Sequence, residues 1–133
     1  IYSVEYKAYL VDNILSVIIR SNFKQGSSAQ RVIVLTFNYD INNNKEVSLK
    51  ELLNKKGLSE ETATSKIETE IKRAEEQAEE LNNLGYNIYK RDSKSDIYKL
   101  ENTTEFFTDG NYLYLVYPYG NRAETSEMDL VIF

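Results

Sequence analysis

Residues 14–53 follow an order that few architectures can accommodate: a β-branched run, a loop of small residues, a second β-branched run, an asparagine-rich turn and a short helix. Residues 14–23 and 31–39 have strong strand propensity. Between them, residues 24–30 carry Gly26-Ser27-Ser28, too little side-chain bulk to pack, and so break the pattern. Polar and apolar residues alternate loosely over residues 2–10, and Asp12-Asn13 offers turn chemistry. The first two runs are therefore expected to form an antiparallel hairpin, with residues 31–39 as a third, central strand.

The remaining pattern is mixed. Ser48 is placed to cap a short helix over residues 49–54, and Glu51 three positions on completes a capping-box spacing. After Gly57, Ser59 opens a second helix with Glu60 and Glu61 in its first turn. Its apolar positions Ala63, Ile67, Ile71, Ala74, Ala78 and Leu81 recur at steps of three and four, and Gly85 marks its stop. Residues 86–89 and 97–100 are expected as short strands about a charged turn. Residues 104–107 and 112–117 read as a second hairpin about Asp109-Gly110, halted by Pro118. A polar loop over residues 121–127 and a terminal strand over residues 130–133 close the chain. Strands before and after a long helix, without βαβ alternation, predict a single α+β domain over residues 1–133: an antiparallel sheet with one long and one short helix mainly on one face.

Composition removes several chemistries. The 133 residues include no His and no Cys, the types that supply most neutral-pH proton shuttles, thiol nucleophiles and zinc ligands. A net charge of −5 disfavours nucleic acid, whose binders gather basic stripes. The apolar runs fall far short of the ~20 residues that span a bilayer. The sequence opens at Ile1 inside an alternating pattern, with no initiator Met or signal region, and is expected to be a fragment or processed chain. Asp40, Asn42, Asn43 and Asn44 superficially follow an oxygen-rich calcium loop but lack its sixth-position Gly and a terminal Glu in register, so no metal or other cofactor is expected.

Several segments resemble one known family. Residues 13–17 (Asn-Ile-Leu-Ser-Val), the Gly26-Ser27-Ser28-Ala29 loop, Thr36-Phe37-Asn38-Tyr39-Asp40 leading into residues 47–52, and the closing residues 106–119 are similar to the domain of unknown function at the C-terminus of RsiV-type anti-sigma factors and PdaC-type peptidoglycan deacetylases. Members often carry Gly-Gly-Ala-His in the loop. Gln30 stands where that His would be, so a His-dependent role does not carry over. The resemblance implies an extracytoplasmic module of a bacterial cell-envelope protein, with a membrane anchor or further domain upstream. In the anti-sigma branch it implies sensing by binding lysozyme; in the deacetylase branch the zinc chemistry belongs to a separate domain. The family fold is related to a subdomain of actin-like ATPases, but no phosphate-binding loop occurs here.

The expected function is thus a non-catalytic binding or sensor module recognising a basic, lysozyme-like protein or cell-wall glycan. Loops held by a rigid sheet commonly carry recognition residues, which nominates Gly26, Ser27, Ser28 and Gln30, together with Tyr117, Tyr119 and Arg122 after the last hairpin. Two alternatives stand beside it. One is a structural interdomain module, docked through the long helix and marked by exposed apolar area. The other is a carboxylate-dependent glycan hydrolase, which needs two carboxyl groups facing a cleft at ~5 to ~9.5 Å; Asp40 and Asp109, both on loops, are the candidate pair.

Overall fold

The computed structural model describes residues 2–28, 30–117 and 128–133. The N-terminal hairpin forms as β1 (Tyr2–Val11) and β2 (Ile14–Phe23), in unbroken antiparallel register from Tyr2 opposite Phe23 to Val11 opposite Ile14. Asp12 and Asn13 both take positive φ, 50° and 66°, as a two-residue turn must when its twist follows that of the strands it joins. β3 (Arg31–Asp40) pairs with β2 along its whole length. β4 (Lys45–Glu46), a strand not expected from sequence, adds two residues beyond the end of β3, giving the order β1-β2-β3-β4. Most of the outer edge of β3 is therefore left for other partners.

The closing strands form a separate sheet, β5-β6-β7, from β5 (Glu105–Thr108), β6 (Leu113–Tyr117) and β7 (Asp129–Ile132). Helices α1 (Leu49–Lys55) and α2 (Glu60–Asn83) lie where their caps predict. Ser48 Oγ accepts from the Glu51 amide at 3.2 Å, and Ser59 Oγ from the Thr62 amide at 3.1 Å. The capping box is only half made, because the Glu51 carboxylate turns to Lys45 Nζ at 3.5 Å. Past α1, Gly57 at φ 69° lets the Leu58 amide reach the Leu53 carbonyl at 3.0 Å, closing the helix end.

Two expected strands are absent. Residues 86–89 carry no regular element, because the Asn82 side chain takes the pairing a strand would have supplied: it accepts from the Ile88 amide at 2.7 Å and donates to the Ile88 carbonyl at 2.9 Å. Residues 97–100 are covered instead by two single 3₁₀ turns, Asp96–Tyr98 and Leu100–Asn102, joined through an extended Lys99 and tied by the Asn102 side chain to the Asp96 carbonyl. Residues 118–127, with Pro118 and the expected polar loop, lie outside the described residues.

The layers run helices, three-stranded sheet, four-stranded sheet. One face of β6 and β7, with Leu113, Leu115, Tyr117 and Val131, packs on Leu52, Leu53, Ala63, Ile67 and Ile71 from the helices. The other, with Phe107 and Val116, packs on Val32 and Val34 of β3. Both helices thus lie mainly on one face, and the four-stranded sheet is the outermost layer.

Candidate interaction face

Two strands of that outer sheet carry polar residues on their inward face. Ser16 Oγ donates to Asn38 Oδ1 at 2.7 Å and accepts from the Thr108 amide at 2.9 Å. Asn38 Nδ2 donates to the Phe106 carbonyl at 2.8 Å. Thr36 Oγ1 accepts from the Phe106 amide at 3.0 Å and donates to Glu105 Oε2 at 2.6 Å, an oxygen that also takes the Thr36 amide at 2.7 Å. The edge backbone of β5 is therefore bonded to side chains standing on β2 and β3. Ser16 and Asn38 are buried and fully partnered, as buried polar groups must be to avoid a desolvation penalty. Ser16 and the Thr36-Phe37-Asn38 segment, which carry much of the resemblance noted above, supply this clasp between the sheets.

The outward face of the same sheet is different in kind. Alternation places Tyr2, Val4, Tyr6, Ala8 and Leu10 of β1 on it, beside Leu15, Val17, Ile19, Ser21 and Phe23 of β2 and Ile33, Leu35, Phe37 and Tyr39 of β3. Tyr6 is 74% exposed, Leu10 62% and Phe37 56%. On the inner side of β1 stand Ser3, Glu5 and Lys7, followed by Tyr9, which stacks on Phe107, and Val11, which meets Gly110. A one-residue slip would exchange the two sets, so over residues 2–8 β1 is written with its apolar side turned away from the core of its own chain. Taking about 200 Å² for an aromatic side chain and about 150 Å² for an aliphatic one, Tyr2, Val4, Tyr6, Leu10, Phe23, Ile33, Leu35 and Phe37 leave on the order of 800 Å² open. The largest apolar patch of a typical monomer is about 300–600 Å².

A cleft of about 890 Å³ lies beside this face, between the end of β3, the N-terminal ends of both helices and residues 100–104. Glu46, Glu60 and Glu101 line it against one ammonium, Lys50, which pairs with Glu60 at 3.7 Å. Thr64, Thr103 and Thr104 add hydroxyls.

Among the described residues, those nominated from sequence stand in different surroundings. Gly26, Ser27 and Ser28 form an exposed turn closed by the Ser28 amide on the Gln25 carbonyl at 3.0 Å, and Gln30 Nε2 donates to Asn22 Oδ1 at 3.3 Å. Tyr117 is not at a surface: it is 3% exposed, its ring lies 5.3 Å from that of Tyr98, and its hydroxyl bonds Thr103 Oγ1 at 2.8 Å. Burial pushes its phenol above the usual range. The alternation along β6 puts it on the helix side, which takes it out of any recognition surface. Tyr119 and Arg122 lie outside the described residues.

Asp40 and Asp109 each serve their own turn. Asp40 accepts from the Asn43 amide and side chain, at 3.0 and 2.8 Å. Asp109 accepts from the Asn111 and Tyr112 amides and the Tyr114 hydroxyl, at 2.9, 2.8 and 2.8 Å. These bonds hold both carboxyls below the ordinary range, with the Asn43 and Tyr112 amides as the leading causes. Neither is poised as a proton donor. Among the described residues, no three carboxylates converge to hold a metal ion, and no helix is long and apolar enough to cross a membrane.

The signal for the open face was present in the sequence: residues 14–19 and 31–37 are apolar on both sides of their strands, as in sheets covered on both faces. No family model matches the chain, and no curated protein matches it.

Proposed function

We propose that the chain is a non-catalytic binding module that acts outside the cytoplasmic membrane of a bacterium, as its resemblance to the RsiV/PdaC-type domain implies, with the outward face of β1, β2 and β3 as its principal recognition surface. One observation carries the reading: a largely apolar sheet face, larger than a typical monomer leaves in water and turned away from the core by the register of β1. An apolar face of this size suits a protein surface better than a glycan, which needs polar groups set among its aromatic rings.

The cleft supports a second site of recognition. Three carboxylates against one lysine suit a basic group, so a basic, lysozyme-like protein would be read there. Titration calorimetry against a C-type lysozyme and against soluble peptidoglycan fragments, at low salt and again in ~0.3 M salt where exposed charge pairing is screened, tests both surfaces. Saturable binding lost in Tyr6→Asp, a position on the face and away from the cleft, assigns the ligand to the sheet face, and binding lost in Glu101→Lys assigns it to the cleft. No heat from either ligand removes lysozyme and glycan as partners and favours a module that docks a neighbouring domain.

A further inference from the structure

We infer that the occupant of the open sheet face is a second copy of this chain, packed face to face about a two-fold axis; this rests on the reading of that face as the recognition surface. Three observations converge on it. The first is area. On the order of 800 Å² of open apolar surface is what one partner contributes to an interface of standard size. The second is shape. Two twisted sheets of the same hand pack with their strands within about 30° of each other, and the best-matched surface for such a face is a copy of itself.

The third observation is the placement of charge, and it selects the orientation. The face has five rows: Tyr2-Phe23-Arg31, Val4-Ser21-Ile33, Tyr6-Ile19-Leu35, Ala8-Val17-Phe37 and Leu10-Leu15-Tyr39, the last extended by Glu46 of β4. Its charged members stand at opposite ends, Arg31 in the first row and Glu46 in the last. Both are exposed, and neither forms an ion pair within the chain among the described residues.

A two-fold axis lying in the interface across the strands, through the middle row, lays each strand over its own copy in the reverse direction. Arg31 then falls over Tyr39 of the other copy, about one strand spacing of ~4.8 Å from its Glu46, and the pair is made twice. An axis along the strands would instead set Arg31 over Tyr2 and carry Glu46 beyond β1. The isologous interface therefore places Ile19 and Leu35 near the axis, where a substitution meets its own copy.

Analytical ultracentrifugation from about 1 µM to 0.5 mM tests the inference on the whole 133-residue chain, with circular dichroism on each variant to establish folding. Wild type is expected to be a dimer with a micromolar or tighter dissociation constant. Leu35→Glu, an exposed position, is expected to weaken it at least 100-fold while keeping the fold. Arg31→Glu and Glu46→Arg alone are each expected to weaken it about fivefold, the scale of exposed ion pairs made twice, and the double variant R31E/E46R to restore it. A dimer indifferent to Leu35→Glu, or a double variant no better than its parents, overturns the face or the orientation. A wild type monomeric at 0.5 mM overturns the dimer. If that monomer binds the apolar dye ANS and Leu35→Glu abolishes the binding, the face stands as a recognition surface and only its occupant falls; a monomer without such binding removes both readings.

Discussion

At Ser16 one hydroxyl both donates and accepts, to Asn38 and from the Thr108 amide, where no water can replace it. Ser16→Ala leaves the buried Asn38 acceptor and the part-buried Thr108 amide without this partner, which costs about 1–3 kcal/mol and is expected to lower the melting temperature by about 3–10 °C. An unchanged melt would show that the two sheets do not depend on the clasp. Asp109 belongs to the same scale. Because its folded pKa is depressed, its contribution to stability is complete above the pH at which a free aspartate titrates and is lost as pH falls through the lowered value. Asp109→Asn, which keeps an acceptor for the Tyr112 amide, is expected to flatten the acid limb of a stability–pH profile below about pH 4. Asp40, lowered by the Asn43 amide, maintains part of that limb, so flattening rather than abolition is the outcome to look for.

The β5–β6 turn shows how one element is set by its contact with another. Gly110 sits at φ 93°, and a Cβ built there would lie 2.7 and 2.9 Å from the two Cγ atoms of Val11, at the end of β1. Gly110→Ala therefore combines a left-handed backbone with a clash against the stiff, β-branched Val11 side chain, and about 1–3 kcal/mol of destabilisation is expected for the backbone strain alone. Urea unfolding should show a lower midpoint at unchanged slope. Adding Val11→Ala should recover the clash and leave the strain, so the two substitutions will be non-additive. Equal losses in the single and double variants would mean that the hairpin shifts to absorb the Cβ. The Asp-Gly pair was legible as a turn from its spacing between two β-type runs; that its glycine faces Val11, 99 positions earlier in the sequence, was not.

For the whole molecule, a folded state that buries its outer sheet in a second copy has a stability linked to concentration by mass action. The melting temperature of wild type is expected to rise across a hundredfold range of protein concentration, while that of Leu35→Glu stays level. A level profile in both would contradict the linkage. Since apolar burial dominates the interface, the wild-type rise should persist in ~0.3 M salt, whereas the effects of Arg31→Glu and Glu46→Arg should shrink.

The sequence by itself determined the elements whose causes are local: both helix caps, the amphipathic stripe from Ala63 to Ala78, the Asp12-Asn13 and Asp109-Gly110 turns and the strands they join. It also determined the α+β class, because strands that flank a long helix without βαβ alternation leave few ways to cover a sheet. Only the tertiary structure decided that the strands divide into two sheets, that residues 86–89 pair with the Asn82 side chain instead of a strand, and that Tyr117 faces the helices. It alone also decided which apolar face goes uncovered. Periodicity records that a strand has an apolar side but not what lies against it; β2 and β3 carry two such sides, and the fold closes over one of them.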